Sequence, residues 1–429
     1  MSTSQSVTAD SSVSVVANFS VSSPWVIWGT LYAAYGISMV LRLMPAFAAN
    51  AMRSDLSLNV DVQAIGTMLA SGTTGALCGK FLWGWAADRW GARRIFPLAL
   101  VMESVGVAVF SQVSSMPLMQ AAFFVTLMAQ AAGWPCMTRV VQACARPGQH
   151  GRVWGLLSTS SRVGTLVASL GPAALAGVLP WRQVLLCASG IGLLAAIAAS
   201  LLLPGQASAQ RPSGADDNRD GGSLLETFGG FFLSSRFLLM AVALMGMAVL
   251  WDFLLLAPMM LKDALKLSDA DSLRVTSAVP FGSLLSLLTG GFLFDRLSRR
   301  DRAYVMAGML TVATLCLTAF SVLPSFRLSP SLQLTASTGI LFVFGMCLSP
   351  CYYIPVSVFS TEFGGSHCGV LVALLDAIGF AAVAVFCHWS GQIVQIAGWP
   401  GLLHLLTAIG LSSAVVLLIF LIRESRITR

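Results

Sequence analysis

Five ionisable residues sit inside long apolar runs of this sequence: Arg42, Glu103, Arg162, Asp252 and Asp376. Each costs about 2.5 to 3.5 kcal/mol to place at the centre of a bilayer, so each demands a function or a partner. The chemistry open to them is recognition of charge and movement of protons. A guanidinium grips carboxylate or phosphate, which makes Arg42 and Arg162 candidate substrate-binding residues. Arg42 and Asp252 could face each other, clasp a zwitterionic ligand between them, or form a buried ion bridge that holds two parts of the molecule together. Asp376 is a candidate coupling residue able to carry a proton, and it could equally pair with Arg162 across helices. Tyr35 lies two turns before Arg42, Trp134 precedes Pro135, and Tyr352 and Tyr353 follow Pro350, so these rings are placed to complete a substrate pocket. Glu103 is expected in a helix-packing hydrogen bond, and Lys80 and Arg139 are expected near helix ends, where they can snorkel to a polar layer.

Catalysis finds no support in the same sequence. His150, His367, His388 and His404 show neither HxxxH nor HExxH spacing, and the nine cysteines are odd in number with no CxxC pair. Neither a metal site nor a disulfide framework follows from that pattern. No GxxxxGK[ST] loop is present to bind a nucleotide, so no cofactor and no enzymatic activity are expected.

The elements that must position the charges are membrane helices. Of 429 residues, 56% are hydrophobic and 10% charged, against about 25% charged in a soluble protein. Apolar runs of spanning length fall at 25–50, 64–86, 95–114, 117–144, 153–179, 184–203, 237–261, 273–294, 303–323, 331–358, 366–396 and 399–422, each able to cross about 20 residues of hydrocarbon. This predicts an all-α membrane protein with twelve transmembrane helices. Residues 1–23 contain no Lys or Arg and read as a disordered tail. The one long polar interruption, 204–236, reads as a flexible linker between a six-helix bundle at 24–203 and a second at 237–422, with 423–429 as a short tail.

Fifteen Lys and Arg residues lie on the side of the termini and linker and six on the other. The positive-inside rule therefore predicts cytoplasmic termini and a cytoplasmic linker. The same loop placement turns the net charge of +7 into a signature of an anionic lipid surface rather than of nucleic acid. Twenty-two Arg against three Lys, with abundant Ala, fits a bacterial inner membrane.

The halves repeat one another. Gly84, Asp88 and Arg89 recur as Gly291, Asp295 and Arg296 at an offset of 207, Pro135-Cys136 recurs as Pro350-Cys351 at 215, and Trp181 as Trp399 at 218. Such a parallel repeat implies two similar bundles facing each other across a central path. The loop residues Gly84, Asp88, Arg89, Gly91, Arg93 and Arg94 closely resemble the G-x-x-x-D-R-x-G-R-R/K signature of the major facilitator superfamily, and the second copy at Gly291, Asp295 and Arg296 extends the resemblance over the chain. That resemblance implies a pseudo-symmetric fold, gating by these two loops, and a cavity lined by the first, fourth, seventh and tenth helices. Tyr32-Ala33-Ala34-Tyr35 with Arg42, and Gly133-Trp134-Pro135-Cys136 with Arg139, also resemble the organophosphate:phosphate antiporter family. The clamp of that family implies a second arginine on the seventh helix, where this chain has Leu250, Trp251 and Asp252.

A secondary active transporter follows as the expectation. It would move a small polar or anionic organic solute by alternating access, as a monomer in the bilayer, with a proton or counter-solute as coupling partner and no nucleic acid. The alternative is a membrane solute sensor on the same scaffold.

Overall fold

The computed structural model describes residues 24–145, 150–203, 232–326, 328–364 and 368–427. The expected tail at 1–23 and most of the expected linker, residues 204–231, lie outside the described residues. Among those described the chain is helical throughout, with no strand.

The first bundle is built from α1 (Pro24–Phe47), α2 (Ala49–Ser54), α3 (Val62–Trp90), α4 (Ala92–Gln112), α5 (Met116–Gln130), α6 (Gly133–Cys144), α7 (His150–Leu175) and α8 (Trp181–Leu202). The second comprises α9 (Ser235–Leu265), α10 (Asp269–Thr276), α11 (Ala278–Arg296), α12 (Arg299–Val322), a 3-10 turn (Leu323–Phe326), α13 (Pro330–Gly364) and α14 (Cys368–Ile427). Eight stretches among the described residues are long and apolar enough to cross a membrane by length and composition. The last of them, within α14, changes direction at Gly398, where φ is +68° and helical geometry is lost, so it supplies two legs. Adding α3, α7 and the α10–α11 pair gives twelve helical columns.

Three columns expected as single helices are broken, the first at Ala48 between α1 and α2 and the other two for one shared reason. Between α5 and α6 the chain turns at Ala131 and Ala132, and between α10 and α11 it turns at Ser277. Pro135 and Pro280 follow four residues after Ala131 and Thr276, whose carbonyls they leave without a helical donor and against which their rings clash. The columns at 366–396 and 399–422 are joined as one bent helix, and α14 runs to Ile427, past the expected end of the last span.

Inside the first bundle α1 packs on α7 and α8, α3 on α5, and α4 on α5 and α8; inside the second α9 and α12 pack on α14, and α11 and α12 on α13. The bundles meet where α3 lies along the first leg of α14 and where α7 lies against α10 and α11. Large apolar side chains on α8, including Ile191, Leu194, Ile197 and Leu201, are exposed at helical spacing. That is the pattern of a face whose solvent is lipid rather than water.

Candidate functional site

Arg42, Arg162, Asp252 and Asp376 converge on the seam between the bundles, and Lys80 joins them there. The side away from the termini, the far side, is shut. Arg53 Nη1 donates to Asp263 Oδ2 at 2.8 Å and Oδ1 at 3.1 Å, and Trp399 Nε1 donates to the same carboxylate at 3.1 Å. Asn50 Nδ2 donates to the Pro258 carbonyl at 2.9 Å, and Gln395 Nε2 to Asp61 Oδ2 at 2.7 Å. Beside that last bond α3 and α14 touch through backbone: a Cβ on Gly391 would come within 2.3 Å of Gln63 Cα. Arg53 and Asp263 keep about a quarter of their side-chain surface exposed, so their attraction is worth about 1 kcal/mol or less. The seal is strong because several such contacts and a glycine crossing act together. In the neighbouring loop, hydrogen bonds from the Ser57 hydroxyl and backbone N–H hold the Asp55 carboxyl below the usual carboxylate range.

Moving inward, Arg42 on α1 donates from Nη1 to Gln130 Oε1 at 3.3 Å, and Gln130 Nε2 reaches Met39 Sδ at 3.5 Å. Gln130 is the last residue of α5, next to the proline-induced break, and both partners lie on α1 of its own bundle. The Arg42 guanidinium lies 5.6 Å from the centre of the Phe380 ring on α14. Its field reaches two carboxylates, Asp252 on α9 and Glu103 on α4, but no ion pair of 4.0 Å or less joins it to either among the described residues. Glu103 points into the bundle rather than out of it. It is 1% exposed, lies beside Ser38, and its Oε1 atom has no hydrogen-bond partner. Its side-chain hydrogen bond is with Ser38 on α1, so Glu103 makes the helix-packing contact expected of it.

Arg162 on α7 crosses the seam. Its guanidinium carbon sits 4.7 Å from the Trp251 ring and 4.6 Å from the Tyr353 ring, contacts worth about 0.5 to 2 kcal/mol each depending on desolvation. Trp251 in turn stacks on Tyr352 at 6.1 Å and meets Tyr353 edge-on at 5.9 Å. Tyr35 is buried within the fields of both Arg42 and Arg162. Its ring stands 6.3 Å from Trp134, and it fits against α6 because Gly133 has no Cβ, which would lie 2.6 Å from that ring.

Nearest the termini, Lys80 Nζ on α3 pairs with Asp376 Oδ2 on α14 at 2.6 Å and lies 4.6 Å from the Phe380 ring centre. Asp376 therefore meets Lys80, not Arg162. Lys80 stands inside the seam, well short of the helix end where it was expected to snorkel. Tyr352 lies in the fields of both Asp376 and Asp252 and so spans the two acidic positions.

The loop motif is simpler. Gly91 ends α3 and begins α4 at φ +82°, a conformation that disfavours any residue with a Cβ. Gly84 meets nothing within 4 Å that a Cβ would touch, so close packing is not its role in this conformation. Arg89, Arg93 and Arg296 are exposed, with Arg89 6.0 Å from the Trp85 ring. Asp88, Gly291 and Asp295 lie outside the residues whose surroundings are described.

Sequence reasoning missed Lys80, Gln130, Trp251, Phe380 and the Arg53–Asp263 latch as site residues. A lone lysine within a long helix was the available signal for Lys80; nothing in the sequence announces a latch between two helices whose partners lie 210 positions apart.

A family model described as Major Facilitator Superfamily matches residues 26–387. Among solved structures, the nucleoside transporter NupG aligns at a TM-score of 0.72 with 15% identity, covering 92% of this chain and 98% of its own. A bacterial homologue of the human lysosomal transporter Spinster, in an inward-facing and unoccupied conformation, aligns at 0.72 with 16% identity, covering 94% and 98%. A D-xylose-proton symporter aligns at 0.70 with 14% identity, covering 92% and 97%. At these identities the likeness is one of fold.

Proposed function

This chain belongs to the Major Facilitator Superfamily and is a membrane transporter rather than an enzyme; from that premise we propose that it is a secondary active carrier of a small polar or anionic organic solute, working by alternating access. The observation that carries the reading is the asymmetry along the seam. The far side is closed by Arg53–Asp263 and the Gly391 crossing, while Arg42, Asp252, Lys80 and Asp376 at mid-depth are only partly buried. Arg42 and Asp252, which have no ion pair among the described residues, are explained by a solute that completes them.

In this reading Tyr35, Arg42, Trp134, Arg162, Asp252, Tyr352 and Tyr353 line the substrate path. Asp376, held by Lys80, is the coupling residue: releasing the pair to a proton or to a counter-solute frees the bundles to rock. Gly84, Asp88, Arg89, Gly91 and Arg93, with Gly291, Asp295 and Arg296, form the hinge-like loops on the side of the termini. The bundles span residues 24–203 and 237–422, joined by a linker at 204–236, with the termini in the cytoplasm of a bacterial cell whose inner membrane holds the protein as a monomer. Charge in the near-side loops supports that orientation.

Reconstitution into liposomes tests the proposal. Time-dependent accumulation of a solute that also binds the purified protein is expected. Binding without accumulation or exchange in either direction would replace the carrier with a solute sensor.

A further inference from the structure

Four cations of the first bundle reach across to the second. Arg53 meets Asp263 at 2.8 Å and Lys80 meets Asp376 at 2.6 Å. Arg42 lies in the field of Asp252. The fourth, Arg162, meets no carboxylate among the described residues: the second bundle offers it the faces of Trp251 and Tyr353 instead. Resting on the carrier reading above, we propose that Arg162 is the receptor for the carboxylate of a monoanionic organic solute, and that Trp251 and Tyr353 hold its guanidinium while the solute is absent.

The reasoning starts from what a guanidinium requires. It stays charged in any protein environment and carries five N–H donors directed in its own plane. Arg162 is 4% exposed, so water satisfies few of them. Its Nη1 atom reaches Ser161 Oγ only at 3.4 Å, and its Nε atom has no partner. Ring faces compensate the charge but supply no lone-pair acceptor for the N–H groups. A carboxylate supplies two acceptors in that plane and a full negative charge. The two forms of partnership are thus interchangeable across one seam: when the bundles part, the rings withdraw, and an uncompensated buried cation is left for the solute to neutralise.

The count of charges limits the solute to one carboxylate. Lys80 is neutralised by Asp376, and Arg42, which has no ion pair among the described residues, stands near Asp252. A second negative group on the solute would therefore meet Arg42 only with the Asp252 carboxylate beside it, a weaker arrangement than the one Arg162 offers. The rings of Tyr35 and Tyr352 supply apolar surface for the body of the molecule.

The test uses the full-length protein, in detergent for binding and in liposomes for exchange, with lactate and benzoate as monocarboxylate probes. Malonate, glycerol 3-phosphate, xylose and adenosine serve as dianionic and uncharged comparisons. A monocarboxylate is expected to bind about tenfold or more tightly than the others, with the loss of a charge-assisted pair in Arg162→Gln weakening it by at least about tenfold and Arg162→Lys restoring part. Trp251→Leu and Tyr353→Leu are expected to tighten monocarboxylate binding, because the competing ring is gone; a purely structural role for the rings would loosen it. Binding of an uncharged or dianionic probe in preference to both monocarboxylates, or tightness unchanged in Arg162→Gln and reduced in both ring variants, overturns the proposal and leaves the carrier intact. Monocarboxylate binding that needs Arg162 but drives no exchange supports the receptor assignment and removes the carrier instead.

Discussion

The two bundles share a repeated sequence framework, yet they bring opposite chemistry to the seam. The first supplies Arg53, Arg42, Arg162 and Lys80; the second supplies Asp263, Asp252 and Asp376 and the ring cluster of Trp251, Tyr352 and Tyr353. Repetition built two similar scaffolds, and divergence made their inner faces complementary. The breaks differ as well. Pro135 separates α5 from α6, whereas Pro350 and Pro355 are carried inside the continuous α13, so the repeated Pro-Cys pair has a different local consequence in each half. The lesson is that pseudo-symmetry of fold sets where side chains can meet, while the asymmetry of charge decides which bundle needs the other.

Reversing one sign at the Lys80–Asp376 pair is the severest way to break that complementarity. Lys80→Glu would set two carboxylates against each other at a site now closed at 2.6 Å, and transport is expected to fall about a hundredfold, as for loss of a partly buried pair. Exchanging the charges, Lys80→Asp with Asp376→Lys, should recover much of the loss; the coupling appears in a double-mutant cycle of initial uptake rates. No recovery in the exchanged protein would mean that the pair has duties beyond attraction, with proton carriage the first to examine.

A steric wedge comes next. Gly391→Leu places side-chain atoms where Gln63 backbone now lies, and overpacking of this kind costs about 1 to 3 kcal/mol. Because the contact exists only while the far side is closed, the population should shift toward a far-side-open form. Spin labels at Leu56 and Leu267, one on each bundle, should move apart. If their separation holds steady, the glycine crossing is not what closes this end.

Weaker effects sharpen the comparison. Asp263→Asn removes the charge beneath Arg53 and Trp399 while keeping the shape, and an expected loss of about 0.5 to 1 kcal/mol would raise far-side accessibility to a thiol reagent by about two- to fivefold. Glu103→Gln should do least. It leaves the packing of α4 and the side chain's hydrogen-bonding capacity toward Ser38 intact, so affinity for an anionic solute is expected to change by less than about twofold with thermal stability little changed. A change of about tenfold or more would show that a charge on Glu103 acts on Arg42.

Much of this molecule was legible in its sequence because lipid imposes severe rules. Apolar length marks the spans, since backbone groups in hydrocarbon must be satisfied within a helix. Gly91 stood out as part of the loop motif, and the structure shows why a glycine stands there: φ is +82° between α3 and α4. The costly residues Arg42, Arg162, Asp252 and Asp376 stood out as ionisable groups in apolar runs. Their partners did not stand out. That Asp376 meets Lys80 and not Arg162, that Glu103 faces inward, and that Arg53 latches onto Asp263 depend on helix rotation and on contacts 210 to 296 residues apart. Composition and period report which residues lipid would expel, because that cost is local. Which expelled residue meets which is fixed only when twelve helical columns have chosen their neighbours, since packing of whole helix faces, rather than any single attraction, sets their rotation and register.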